Sequence, residues 1–150
     1  MGLAEAPEEL RLLAGQMDDV AGQARELGAD LVALRETSGW RSAAAEEYQA
    51  ALLDHAETTT RAADRVDDVA LALREHADGT AQTLAAIEAA RGFLLSAAEE
   101  ARSVLGDLWD GVVDAVTEDA RRVLDVVADA PASPVDLGWL ERARQAGWPG

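Results

Sequence analysis

This sequence predicts an all-α protein: an antiparallel helical hairpin extended by a third long helix into an up-down helical bundle. Three observations carry that expectation. Apolar residues recur at alternating spacings of three and four from Leu10 to Leu34, and a second such run begins after a short Ser/Gly break. Aromatic residues make up only 4% of the chain, and alanine supplies much of its 49% hydrophobic content, a composition suited to close-packed helices. At 150 residues there is chain for one modest domain with a real core.

The first helix is expected from Pro7 to Glu36. Pro7 suits the first turn, where its missing N–H costs nothing, and Glu8 and Glu9 put negative charge on the positive end of the helix dipole. Leu10, Leu13, Met17, Val20, Ala24, Leu27, Leu31 and Leu34 form a coiled-coil-like seam over roughly four heptads, about 45 Å of helix. Gly15, Gly22 and Gly28 each weaken that helix by up to about 1 kcal/mol, so a partner helix must stabilise it. Thr37-Ser38-Gly39-Trp40-Arg41-Ser42 then interrupts the pattern, with Ser38 or Ser42 available to cap the next helix. So short a connection implies antiparallel neighbours.

The second helix is expected from Ser42 to about Arg91, with Gly79 and Gly92 as weak points. Its seam is Tyr48, Leu52, His55, Thr59, Ala62, Val66, Val69, Leu73 and His76. Among the seam residues, Leu13 and Leu31 are expected to face Val66, Ala62 and Leu52. A third helix from Phe93 to Ala130 would carry Leu94, Ala98, Ala101, Leu105, Leu108, Val112, Val116, Val123 and Val127, ending at Pro131-Ala132-Ser133-Pro134. The expected organisation is therefore 1–91 hairpin, 92–130 third helix, and 131–150 a Pro/Gly-containing tail with one short helix, ending loosely at Gly147-Trp148-Pro149-Gly150.

The formal net charge of −16 disfavours nucleic acid and anionic membrane surfaces, both of which call for excess Lys and Arg. No apolar run approaches the roughly 18 residues of a membrane span. With no cysteine, disulfide and thiolate chemistry are excluded. All thirteen basic residues are arginine, and lysine and asparagine are absent, which suggests a GC-rich, actinobacterial source.

Catalytic chemistry finds no footing. Adjacent carboxylates such as Asp18-Asp19, Glu46-Glu47, Asp67-Asp68 and Glu99-Glu100 point about 100° apart on a helix and read as a solvated acidic face. Ser96, Ser103 and Ser133 lack a histidine nearby in sequence and a strand-to-helix elbow, and no phosphate-binding glycine loop is present. His55 and His76 are 21 residues apart, about 31 Å along one helix, too far to share a metal. The expectation is no enzyme, no cofactor and no metal. The apolar breadth of the third helix, with Leu94-Leu95, Leu108-Trp109 and Val112-Val113, reads either as shared core or as a partner-binding stripe; Asp107, Asp110 and Asp114 count against membrane insertion.

The stretch Ser38-Gly39-Trp40-Arg41-Ser42-Ala43-Ala44-Ala45-Glu46-Glu47-Tyr48 resembles the signature of the Trp-X-Gly family, the helical-hairpin proteins of type VII secretion. In that family a Trp sits in the turn between two long helices, a small residue comes two positions on, Ala-rich sequence follows, and an aromatic lies eight residues after the Trp. Trp40, Ser42, Ala44 and Tyr48 occupy those places, and the resemblance covers about Leu10 to Ala90; the third helix, extra to the smallest members, resembles the longer actinobacterial relatives and the hairpin leaders of secreted toxins. Two features depart from the pattern. Ser42 stands where the family has Gly, and Leu52 stands where a carboxylate four residues after a Tyr would complete the export signal.

The resemblance implies a type VII substrate or accessory acting by helix–helix association. Its partners would be a second copy or a related hairpin, in a homodimer or heterodimer, and the secretion machinery, with neither nucleic acid nor stable membrane insertion. It implies a secreted or cell-surface location without a cleaved signal peptide, consistent with an opening Met1–Glu9 stretch that has no basic or apolar leader region. Trp40 is then either half of an export signal or a staple packing the turn. The alternative is a cytoplasmic acidic helical chaperone, or a neutralising partner of a basic toxin.

Overall fold

The computed structural model describes residues 4–37, 39, 41–106 and 114–150, the side chains of 114 and 115 excepted. Four helices occur in order: α1 Ala6–Thr37, α2 Ala43–Gly106, α3 Asp114–Ala128 and α4 Gly138–Gln145. No strand occurs among the described residues, and the long helices α1 and α2 contact each other. The chain divides into two compact units, Glu5–Gly79 and Thr80–Gly150, the division falling within α2.

In the first unit α1 opens with the amides of Glu8 and Glu9 donating to the carbonyl of Glu5. At its far end the hydroxyl of Thr37 donates to the carbonyls of Ala33 and Leu34. Ser42 caps α2: its Oγ accepts from the Ala45 amide at 3.1 Å, satisfying one of the free donors of the first turn.

The contact between α1 and α2 is not the expected leucine seam. The residues that α1 buries are Pro7, Ala14, Ala21 and Gly28, one small residue every seven. Within the first unit the buried set on α2 is Ala45, Leu52, Ala56, Ala63, Ala70 and Ala77, with the same seven-residue period over its last four members. Small residues let two helix backbones approach closely. At Gly28 a methyl group would meet Thr60 Oγ1 at 3.2 Å and the Ala56 carbonyl oxygen at 3.4 Å.

The second correction concerns where α2 ends. It does not stop at Arg91, and Phe93 does not open a third helix; α2 continues through Gly92 to Gly106. Ile87, Ala90, Leu94, Ala98 and Ala101 are buried at spacings of three and four that run straight past Gly92, so packing on that stripe outweighs the roughly 1 kcal/mol helix cost of one glycine. The expected 92–130 helix is thus the end of α2 plus the shorter α3. Leu108 and Val112, expected on it, lie outside the described residues.

The third correction is the C-terminal tail, which belongs to the core of the second unit. Trp139 is buried with Ile87, Ala90, Leu94 and Ala143, and Phe93, Val126, Val127, Leu140 and Trp148 pack around them. The indole N–H of Trp139 donates to the Ser133 carbonyl at 2.8 Å, so its polar atom is satisfied inside an apolar cluster. The Arg91 guanidinium lies 6.0 Å from the Trp139 ring centroid, at the outer reach of a cation–π contact. α4 closes with the Gly147 amide donating to Arg144 O and the Trp148 amide to Ala143 O. This is a Schellman stop with Gly147 at φ +92°, and it turns Trp148 back onto the cluster.

Candidate helix-docking face of the hairpin

The two flanks of the small-residue seam differ in kind. On a helix, residues three and four away from a given position fall to opposite sides of it. One flank of α1 therefore carries Arg11, Asp18 and Arg25, and the other carries Leu10, Met17, Ala24 and Leu31.

The first flank is closed by ion pairs. Arg11 reaches Asp78 at 2.9 Å and Glu8 at 2.6 Å. Asp18 pairs with Arg74, and Arg25 pairs with Asp64 at 2.9 Å and also with Asp67. Sign alternates along α1 (plus, minus, plus) and is answered in reverse along α2. The partner numbers fall as the α1 numbers rise, as an antiparallel pair requires. The Arg11 guanidinium is held above its ordinary pKa chiefly by its hydrogen bond to Asp78. That of Arg25 is held above it by the bonds to Asp67 and Asp64.

The second flank is apolar and open. Leu10, Met17 and Leu31 beside the seam are half-buried. One step further out, Leu13, Val20, Leu27 and Leu34 are 40, 48, 55 and 48% exposed and again stand every seventh residue. On the same flank of α2, Leu52 is buried, Val66 and Leu73 are half-buried, and Val69 is exposed. Tyr48, half exposed, lies four residues before Leu52 on this side. The expected seam residues thus gather on one face, but only Leu52 among them reaches full burial. Leu13 is exposed and Leu31 half-buried, both on the flank that also carries Leu52 and Val66, so neither is buried as the small-residue seam is.

Of the turn residues, Gly39 adopts φ +56°, a left-handed conformation that glycine takes at no steric cost. Ser42 is the α2 cap described above, and Trp40 lies outside the described residues. His55 and His76 are exposed on one continuous helix, which keeps them apart. Among the described residues no three His, Asp or Glu come together in a way that could hold a metal ion. No described helix is long and apolar enough to cross a membrane.

The residues missed by the leucine pattern are Ala14, Ala21, Gly28, Ala56, Ala63, Ala70 and Ala77. Their signal was the strict period of seven in small residues, hidden because alanine is common throughout. Trp139 was expected only on the short C-terminal helix, which α4 bears out, and Trp148 only in a loose ending; neither was expected in a core, because the aliphatic residues they cover lie far away in sequence. No family model, curated protein or solved structure matches this chain.

Proposed function

We propose that this chain is a type VII secretion substrate or accessory that works by helix–helix association with a second copy or a related hairpin protein. The observation that carries the reading is the short connection between α1 and α2. Gly39 and a capping Ser42 join two long helices there, and the aromatic Tyr48 stands beyond them at the spacing of the Trp-X-Gly signature. Association is supported by the apolar flank, since a hairpin that uses alanines for its own contact keeps its leucines for another helix.

The test pairs folding with export. Trp40→Phe retains most apolar packing and removes the indole N–H and the second ring. Its melting by circular dichroism is compared with its level in supernatant and lysate of a host with a type VII system. Wild-type melting with lost export supports the reading. Wild-type melting with unchanged export, or a native protein that never leaves the cell, overturns it in favour of a cytoplasmic chaperone or toxin-neutralising partner. Lost melting stability, about 3–5 kcal/mol for a buried Trp→Ala at the same site, would assign Trp40 to the turn alone.

A further inference from the structure

We infer that the stripe Leu13-Val20-Leu27-Leu34, with Val69 beside it, receives an amphipathic helix of another protein that carries a leucine stripe with basic flanks. This deepens the association reading and depends on it, but does not depend on export.

The geometry selects a helix. The four α1 residues recur every seven positions over 21 residues, about 32 Å of helix, which is the register a partner's own heptad stripe can match. Each remains 40–55% exposed because the small-residue seam leaves it outside the hairpin contact.

Charge selects the flanks. Residues three or four positions from the stripe share its edge. On α1 these include Glu9, Gln16, Gln23 and Asp30, and neither Glu9 nor Asp30 has an ion-pair partner among the described residues. Arg65 stands near Val69 on α2, so the charge match to a basic partner is made along the α1 edge, at Glu9 and Asp30. The arginines of the opposite flank are committed, with Arg11, Arg25 and Arg74 all engaged across the seam. A second copy would bring a chain of net charge −16 up to one of the same charge, whereas lysine or arginine flanks would meet Glu9 and Asp30 and be drawn in by the field of the whole chain.

The test titrates two synthetic helical peptides of about four heptads into the full-length protein by calorimetry. Both carry leucine at the two core positions; one has lysine flanks and its twin has glutamate. The lysine peptide is expected to bind, and Val20→Glu/Leu27→Glu to weaken it about 100-fold. Those glutamates make the protein more negative, so purely electrostatic attraction would instead be kept or strengthened, an outcome that overturns the site. Equal binding of the glutamate peptide overturns the basic flanks. A wild-type dimer in sedimentation that the double variant dissolves makes a second copy the occupant and overturns the proposal as well. Val20→Ala/Leu27→Ala, which preserves helix and charge, should also weaken binding while leaving melting unchanged. A negative export result leaves these titrations standing, and failed titrations leave export standing, so the two readings fail separately.

Discussion

The two units of this chain hold themselves together by opposite means. In Glu5–Gly79 the buried contact is made of alanines, one glycine and one proline, with Leu52 as the one large side chain among the buried apolar residues described there. In Thr80–Gly150 the buried cluster contains Ile87, Leu94 and Trp139, backed by Phe93 and Trp148. A methyl group buries little area, so each hairpin layer contributes far less hydrophobic free energy than an indole at about 25 cal/mol per Å². What the hairpin gains is proximity: close backbones, dispersion contacts along the seam, and arginine–carboxylate pairs brought into reach on one flank. The comparison teaches that an alanine seam leaves its neighbouring leucines free, whereas the aromatic cluster buries large side chains from several helices at one centre, with Leu95, Val116 and Leu137 left exposed around it.

The comparison breaks most sharply at Trp139. Trp139→Ala should destabilise the second unit by about 3–5 kcal/mol, since the site loses a buried ring and orphans the Ser133 carbonyl. Urea unfolding monitored by hydrogen exchange would place the loss. Protection should fall in 80–150, and a loss confined to the hairpin would refute the assignment of the core. In the hairpin the vulnerable change is enlargement. Ala21→Leu should cost about 1–3 kcal/mol by forcing the helices apart, and a neutral result would show that the helices do not meet at Ala21.

Truncation should hurt less there. Leu31→Ala, at a half-buried position, is expected to cost about 1 kcal/mol, and Leu27→Ala to stay within about 0.5 kcal/mol. A loss of about 2 kcal/mol or more at Leu27 in the isolated protein would mean that the stripe is already covered. The smallest effect concerns the ion-paired flank. Arg25→Gln should lower the melting temperature slightly at low salt, and the difference should vanish near about 1 M NaCl, because exposed pairs are screened. The wild type itself should melt higher as moderate NaCl screens its net charge of −16; a flat response would show that its pairs already balance that repulsion.

Period and composition were enough to determine the helical class, a break between the first two helices with Ser38 or Ser42 to cap the second, and the apolar character of one α1 face; the structure shows Ser42 as the cap. These are local properties, set by the 3.6-residue turn and by backbone donors that need a cap. Tertiary structure alone decided which stripe the hairpin buries. Leucine and alanine both lay at heptad spacing, and only the packed hairpin, in which Gly28 comes close against Ala56 and Thr60, shows that the small residues are the buried ones. It also decided that Gly92 would not end α2, because burial at Ala90 and Leu94 outweighs one glycine. The tail obeyed the same logic: Trp139 and Trp148 acquire their meaning only once Ile87 and Leu94, distant in sequence, supply a surface for them to cover.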